Sequence, residues 1–266
     1  MDLQLSGRTA LVTGGSRGIG KAIALVLAEE GVDLALIART GSTLEEAAAE
    51  ITRTTGRKAL PLVADTGDTG AVDDAVTHAA RELGRIDILV NCAARPGGAP
   101  PKPGVENLPD DAFMEQINVK VLGYLRCARA VVPQMKPQGW GRIINISGLA
   151  ARQTGNTIGS IRNVAVSALT KNLADELGPF GINVTCVHPG LTWTEYMQEV
   201  TEQQATSRGE TLEAARQRMA EQNSVRRIID AMDIAHIVAF LASPLSVAIT
   251  GDTIAAGGGV GRGIYY

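Results

Sequence analysis

A glycine-rich segment near the N-terminus constrains this chain more than any other feature. The run Thr13-Gly14-Gly15-Ser16-Arg17-Gly18-Ile19-Gly20 follows a short apolar stretch and leads into an apolar stripe of helical spacing. Glycine at 14, 18 and 20 lets the backbone turn tightly, approach a ligand closely and pack a helix against a strand. Amide groups at the start of such a helix bind anions. The segment therefore predicts a strand–turn–helix unit holding a diphosphate through Gly14, Ser16, Arg17, Gly18, Ile19 and Gly20.

The rest of the chain repeats this alternation of strand and helix. Apolar runs rich in Val and Ile occupy residues 9–13, 33–37, 59–63, 86–91, 142–146 and 183–188, with a last one near Thr253. Longer segments of helical spacing separate them, as in βαβ units around a parallel sheet covered on both faces. No linker or low-complexity run divides the 266 residues. We predict a single α/β domain over residues 1–266, with a doubly wound parallel sheet of about seven strands and helices on both faces.

Local signals predict where some helices begin. Ser42 followed by Glu45 is typical of a capping box at the start of the second helix, and Asp68 and Asp230 are typical N-caps. Residues 191–227 differ from the rest because they are polar, poor in strand signal and placed after the sixth strand. Such a position suits a movable lid.

Composition excludes several classes of partner. The net charge is −3 and the basic residues are interspersed with acidic ones, so nucleic acid is not an expected partner. No segment resembles a secretion signal or reaches the length of a membrane span, which predicts a cytoplasmic protein without membrane contact. Cys92, Cys127 and Cys186 lack the spacing of metal ligands, so no metal is expected.

Several segments, together with the G-x-x-x-G-x-G spacing, resemble the short-chain dehydrogenase/reductase family. Residues 91–94 read Asn-Cys-Ala-Ala and are similar to the family's N-A-G segment, with Ala94 replacing the final glycine. Residues 189–194 are similar to its P-G-x-x-x-T segment, which seats the nicotinamide amide and the diphosphate. Asp65 follows the third strand, where the family's Asp hydrogen-bonds the adenine amino group.

This resemblance extends from the first strand to the last. It implies a Rossmann-type fold, oxidoreductase activity and a small-molecule substrate. Beyond the glycine turn, the cofactor contacts that it implies are Asp65, Thr66, Asn91, Ala93, Pro189, Gly190, Thr192 and Thr194.

The end of the second strand bears on the choice of cofactor. It reads Ile37-Ala38-Arg39, without the acidic residue that would bind the ribose 2′-hydroxyl of NAD. Arg39 and Arg17 can instead pair with a 2′-phosphate, which favours NADP over NAD. The alternative is that both arginines are only surface charges.

The family's catalytic Ser, Tyr and Lys have no counterparts here. The resemblance puts their positions at Gly148, Gly159 and Asn163, and no tyrosine occurs between Tyr124 and Tyr196. In the family, the Tyr transfers the proton, the Lys lowers the pKa of that Tyr, and the Ser orients the substrate oxygen. The chain therefore needs another route for the proton.

Three other residues are candidates for catalysis. Asn118, in the helix after the fourth strand, matches the family's structural and catalytic Asn. His188 can titrate near neutrality, although a structural histidine before a proline is the simpler interpretation. Tyr196, in the predicted lid, either reaches the site on closure or lines a pocket. Lys120, two residues after Asn118, is expected to face solvent.

Three functions fit this pattern. We favour an NADP-dependent oxidoreductase acting on an unknown carbonyl or alcohol through an atypical proton path. The alternatives are a non-redox enzyme on the same fold, such as a lyase, hydratase or isomerase, and a catalytically inactive NADP-binding regulatory protein. Family members associate through two long helices, here residues 111–135 and 158–177. The resemblance therefore implies a homo-oligomer, either a tetramer or a dimer.

Overall fold

Seven parallel strands form the centre of the protein in the computed structural model, which describes residues 1–94 and 104–261. They are β1 Thr9–Thr13, β2 Asp33–Ala38, β3 Ala59–Val63, β4 Ile88–Asn91, β5 Gly141–Ile146, β6 Ile182–Pro189 and β9 Thr253–Ala256. Their order in the sheet is β3-β2-β1-β4-β5-β6-β9. The predicted fold class is confirmed, and each predicted strand has its counterpart. Two short strands outside this sheet, β7 Thr192–Trp193 and β8 Ile229–Asp230, pair with each other.

Helices connect the strands and cover both faces of the sheet. They are α1 Gly18–Glu29, α2 Gly41–Thr55, α3 Thr69–Leu83, α4 Asp110–Gln116, α5 Gly123–Gln138, α6 Thr157–Leu177, α7 Glu195–Arg208, α8 Leu212–Ala220 and α9 Ala231–Ala242. A π-helical segment, Ile117–Leu122, joins α4 to α5. Within the described ranges, none of the helices combines the length and apolarity that crossing a bilayer requires.

Both faces of the sheet are buried, which explains why its strands are continuously apolar. Successive side chains of a strand point to opposite faces. Ala10 and Val12 of β1 belong to the apolar cluster beneath α1 and α9, whereas Leu11 belongs to the cluster beneath α3 and α5. All three are fully buried. The core therefore has two layers, one on each side of the sheet.

The strand order reverses between β1 and β4, and this reversal positions the functional site. Thr13, the last residue of β1, is in register with Ile37 of β2 on one side and with Asn91 of β4 on the other. The chain leaves these strands in opposite directions, so a crevice opens at their carboxyl ends. In open α/β sheets, ligands bind at such a switch point.

Two of the three predicted helix caps are confirmed. Asp68 accepts a hydrogen bond from the amide of Ala71, and Asp230 forms a capping box at the start of α9. The prediction of a capping box at Ser42 is wrong. Because α2 begins at Gly41, Ser42 already lies inside the first turn, and Thr40 is the N-cap without a side-chain hydrogen bond.

The region predicted as a lid consists mainly of α7 and α8, and the β7–β8 pair connects its two ends. The Arg216 guanidinium lies 4.6 Å from the centre of the Trp193 ring, and Arg218 pairs with Glu210. The region is therefore packed on itself. Its movement stays a prediction.

A buried carboxylate holds the amino ends of β1 and β4 together. Asp87 is fully buried, and its Oδ2 accepts hydrogen bonds from the Thr9 amide at 3.0 Å and from Arg85 Nε at 3.0 Å. Arg8 Nη1 lies 3.5 Å from the other oxygen. Arg8 and Thr9 lie at the start of β1 and Asp87 directly precedes β4, so this carboxylate links the starts of two strands that are far apart in sequence.

We expect Asp87→Asn to destabilise the protein by about 1–3 kcal/mol, because one amide oxygen cannot serve all these donors and buried donors are costly to leave unpaired. The free energy of unfolding, measured by urea titration, checks this. Asp74→Asn, at an exposed carboxylate on α3, is the matched control and is expected to change little. Equal stability of the two variants would contradict the prediction.

Candidate functional site

The glycine turn between β1 and α1 has no room for side chains at two positions. Gly14 has a φ of +71°, and a Cβ atom placed there would lie 3.0 Å from the backbone nitrogen of Ala93. A Cβ atom on Gly20 would collide with the carbonyl oxygen of Gly14. The Gly14 amide donates to the carbonyl of Ile37 at 2.7 Å. The turn is thus drawn close to both neighbouring strands.

Thr13 connects this turn to the loop after β4. Its side chain is fully buried, and its hydroxyl oxygen accepts hydrogen bonds from the amides of Cys92 at 3.0 Å and Ala93 at 3.1 Å. Ala93, predicted to contact a cofactor, therefore lies beside the glycine turn. The two loops form adjacent walls of the crevice at the switch point.

A carboxylate already occupies one amide at the start of α1. The backbone N–H of Gly18 donates to Oε2 of Glu195, the first residue of α7, at 3.1 Å. Thr194 lies next to this contact, since its Cγ2 would be 3.5 Å from a Cβ atom on Gly18, and its hydroxyl caps α7. An exposed helix N-terminus that accepts a carboxylate has the chemistry to accept a phosphate.

Pro189, Gly190 and Thr192 lie at the carboxyl end of β6, in the same crevice. The Gly190 amide donates to the carbonyl of Ala256 at 3.2 Å, and a Cβ atom on Gly190 would lie 2.9 Å from the Cα of Gly257. The Thr192 hydroxyl donates to the Gly190 carbonyl at 3.2 Å. Glycine is therefore required at 190 by the close approach of a second backbone.

Asp65, Thr66 and Asn91 have internal partners. Asp65 is half-buried and accepts from the Gly67 amide at 2.8 Å, and Thr66 is buried. Asn91 is fully buried, and its Nδ2 donates to Oδ1 of Asn145 at 2.9 Å. Asn91 thus crosslinks β4 and β5 inside the sheet, while Asp65 shapes the loop after β3.

The arginines that favour NADP lie at the surface. Arg17 is the N-cap residue of α1, and Arg39 follows β2 directly. Both side chains are exposed, and neither forms a salt bridge within the described ranges. The structure contains no acidic side chain at the end of β2, where Ala38 and Arg39 stand.

Gly148 and Asn163, two of the three positions predicted to lack the family's catalytic residues, meet at the carboxyl end of β5, and the third, Gly159, lies one turn before Asn163 on α6. Asn163 is buried on α6, and its Nδ2 donates to the Gly148 carbonyl at 3.3 Å. A Cβ atom on Gly148 would lie 2.9 Å from that nitrogen. Gly159 is covered by Asn156, whose Oδ1 accepts from the Gly159 amide at 2.9 Å as the N-cap of α6. Two asparagine side chains, Asn163 and Asn156, therefore contact Gly148 and Gly159 in this corner at the carboxyl end of β5.

Asn118 and Lys120 point in different directions from the π-helical segment. Asn118 is half-buried, donates to the Gly67 carbonyl at 3.2 Å and accepts from Arg126 at 2.8 Å, so it faces the loop after β3. Its catalytic role stays a prediction. Lys120 is only 3% exposed, and its Nζ donates to the Ser147 carbonyl at 3.0 Å. The expectation that Lys120 faces solvent is wrong, because the side chain turns inward under α6.

His188 lies at the end of β6, buried beside α6. Its Nε2 is 3.1 Å from the Ser167 hydroxyl. Burial, helped by the positive charges of Arg152 and Lys120, lowers the pKa of His188 to about 4. The imidazole is therefore neutral at neutral pH, which suits a hydrogen-bond partner better than a proton donor. Tyr196 is half-buried on the first turn of α7.

Two buried polar atoms in this corner have no hydrogen-bond partner within residues 1–94 and 104–261. They are Oδ1 of Asn163 and Nδ1 of His188. Buried polar atoms are nearly always paired, with protein, water or ligand. Each of these atoms can therefore bind a polar group that the described residues do not supply. Among the same residues, no group of three or more His, Cys, Asp or Glu side chains is arranged to hold a metal ion.

Comparison with known proteins agrees with this architecture. The sequence model described as short chain dehydrogenase matches residues 8–205. The short-chain reductase protein NovJ of Streptomyces niveus is 37% identical over 251 residues, covering 94% of this chain and 92% of that protein.

Solved structures of reductases and dehydrogenases are also similar to this chain. L-sorbose reductase from Gluconobacter frateurii, in complex with NADPH and L-sorbose, is 28% identical, covers 99% of this chain and 100% of its own, and has a TM-score of 0.93. An NAD+-bound xylitol dehydrogenase is 32% identical, with coverage of 96% and 100% and a TM-score of 0.86. These similar proteins include one bound to each nicotinamide cofactor.

We expect Glu195→Gln to strengthen binding of a dinucleotide diphosphate, because the Glu195 carboxylate competes for the Gly18 amide and repels the anion. A charge at a helix N-terminus contributes about 0.3–1 kcal/mol, so the dissociation constant for NADPH should fall about two- to fivefold. Fluorescence titration at low salt measures it, and the difference should shrink as salt screens the charge. Glu199→Gln, one turn along α7, is the control; an equal gain there would refute the competition.

Proposed function

This chain belongs to the short-chain dehydrogenase/reductase family, whose members are oxidoreductases, and we propose that it is an NADP-dependent oxidoreductase acting on a small carbonyl or alcohol substrate. The single observation that carries the proposal is the cradle formed by the glycine turn and the start of α1. Gly14 and Gly20 keep the turn tight against backbone of the chain itself, and the exposed amide at Gly18 binds an anionic group, the Glu195 carboxylate. A tight glycine turn that presents helix N-terminal amides is suited to a diphosphate.

The residues of the crevice fit a nicotinamide dinucleotide. The glycine turn and Thr194 would hold the diphosphate, and Asp65 would receive the adenine amino group. Ala93 and the segment 189–192 would line the path toward the carboxyl end of β5. When bound, the reduced nicotinamide supplies a hydride to a carbonyl carbon. The protein must bind and orient the two reactants, a contribution that can exceed that of a positioned acid.

The preference for NADP rests on Arg17 and Arg39. Both guanidinium groups are exposed at the start of α1 and the end of β2, within the reach expected of a ribose 2′-phosphate. No acidic side chain at the end of β2 is present to select a 2′-hydroxyl. The NADPH in the L-sorbose reductase complex supports the same choice, although the xylitol dehydrogenase binds NAD+.

One observation favours a second candidate, an NADP-binding protein without turnover. Gly148, Gly159 and Asn163 leave the corner at β5 without the phenol of the family, and the N-cap contact of Asn156 covers Gly159. Such a chain would still bind the dinucleotide. A non-redox enzyme on this fold would convert a substrate without net change in the cofactor.

Cofactor titration followed by a carbonyl screen separates these candidates. We expect NADPH fluorescence to show saturable binding, and a screen of L-sorbose, simple ketones and a 3-oxoacyl thioester to give stoichiometric loss of NADPH absorbance with at least one probe. Binding without consumption across the panel would favour the inactive protein, whereas conversion without consumption would favour a non-redox enzyme. Absence of binding at millimolar NADPH would overturn both NADP-based functions.

We expect Arg39→Ala to reduce affinity for NADPH about tenfold, the value of one charge-assisted hydrogen bond, while affinity for NADH stays within about twofold. The same fluorescence titration, run with each cofactor, measures the ratio. Arg53→Ala, an exposed arginine on α2, serves as the control. Equal losses for NADPH and NADH in Arg39→Ala would remove the basis for NADP preference.

Two further expectations belong to the proposed function. Association into a homo-oligomer is supported by exposed apolar side chains on the two long helices: Leu122, Leu125, Ile161 and Val164. Movement of α7 and α8 over the crevice is supported by the contact of Glu195 with the glycine turn, since a cofactor must replace that contact.

A further inference from the structure

Lys120 places an amine in the corner that the family's catalytic residues leave vacant. It comes from the π-helical segment before α5, and such π-helical turns are frequent at functional sites. Its Nζ donates to the carbonyl of Ser147, the first residue after β5. The next carbonyl, that of Gly148, accepts from Asn163 Nδ2. The lysine and Asn163 therefore hold consecutive carbonyls of one loop.

This amine has hydrogen-bonding capacity to spare. An ammonium group carries three N–H donors, yet Ser147 supplies its single protein acceptor among the described residues. Nearby, the Asn163 Oδ1 acceptor is buried and unpaired within the same ranges. Lys120 and Asn163 bind the consecutive carbonyls of Ser147 and Gly148, so this short stretch of loop carries both an amine with spare donors and an amide with a spare acceptor. A carbonyl group that reaches this loop would find a donor in the Lys120 amine.

We propose that Lys120 is the catalytic proton donor of this protein, transferring a proton from Nζ to the substrate carbonyl oxygen in place of the family's phenol. The inference rests on the proposed function, since it concerns the proton step of the same reduction.

Reduction of the substrate carbonyl joins one hydride and one proton to the C=O group. Hydride adds to the carbonyl carbon, the π electrons of the C=O bond move to oxygen, and that oxygen takes a proton from the Lys120 ammonium. A new C–H and a new O–H bond form, and the amine is left neutral. A proton from water restores the ammonium. The net reaction consumes one carbonyl compound, one NADPH and one proton and yields one alcohol and one NADP+.

The charges around Lys120 suit a group that exchanges its proton near neutrality. Burial, with a further contribution from the Arg162 charge on α6, lowers the pKa of Lys120 to about 7, while Cys92 and Cys186 act in the opposite direction. The other titratable neighbours are His188 on β6, which is neutral at pH 7, and Tyr124 on α5, whose hydroxyl donates to the Ile146 carbonyl. A general acid is most effective when its pKa lies near the working pH.

Lys120→Met tests the role directly. Methionine keeps the length of the side chain without charge, and replacing a buried cation by an apolar group does not by itself unfold a protein. We expect kcat for the best carbonyl probe to fall about 10²- to 10⁴-fold, the usual contribution of a positioned acid. The NADPH dissociation constant should stay within about twofold, which also reports that the protein is folded. Lys171→Met, on the exposed face of α6, is the matched control.

The pH profile separates proton donation from a merely structural role. Because the protonated amine is the active form in reduction, kcat/KM should fall tenfold per pH unit above a midpoint near 7 in the native protein. Lys120→Arg keeps a cation that does not deprotonate, so this falling limb should disappear while a reduced rate remains. A limb that persists in Lys120→Arg would assign the proton to another group.

A titration that needs no turnover completes the test. In protein labelled with 13C-lysine, the Lys120 signal, assigned by its loss in Lys120→Met, should titrate near pH 7. Titration of Lys120 above pH 9.5 would overturn the inference. If the native protein binds NADPH but reduces no probe, the proposed function and this inference both fail. If it reduces a probe and Lys120→Met retains kcat within about threefold, only the inference fails.

Discussion

The hydroxyl of Thr13 holds together the two loops on which the rest of the site depends. It accepts hydrogen bonds from the amides of Cys92 and Ala93, so the turn after β1 and the loop after β4 are fixed against each other at the point where the strand order reverses. Those amides are partly buried, and leaving such donors without partners is costly. One side chain at the end of a strand thus satisfies the backbone and keeps the crevice in its shape.

The close approach of these loops in turn explains the glycines. With the turn drawn against Ala93, there is no space for a Cβ atom at Gly14, and the start of α1 leaves none at Gly20. The amides of Gly14 and Gly15 bind the Ile37 carbonyl, whereas the exposed amide of Gly18 binds the Glu195 carboxylate. Anion binding at this end of the molecule is therefore a consequence of packing, and it is independent of the chemistry at the other end of the crevice.

At the carboxyl end of β5, the crevice has a polar corner. Asn163, His188 and Lys120 are all buried there, and burial of the Lys120 amine lowers its pKa to about 7. The absence of the family's catalytic side chains at Gly148, Gly159 and Asn163 stays a prediction, whereas the assignment of Lys120 to solvent was wrong. Residues 118 and 120, two positions apart, lie on nearly opposite sides of the helical segment, so only one can face the sheet. Asn118 faces the loop after β3, and Lys120 faces β5. The one signal that pointed to Lys120 was its position in an apolar stretch, Ile117–Leu122.

The sequence by itself determined the strands, their parallel arrangement and the position of the glycine turn, because fully buried strands must be apolar and a tight βα turn must contain glycine. It also determined the absence of an acidic residue after β2. Only the tertiary structure decided which side of the π-helical segment turns inward, that Glu195 reaches the start of α1, and that Asn163 and His188 keep unpaired atoms in one corner. These features join residues that are far apart along the chain, and no local spacing encodes their meeting.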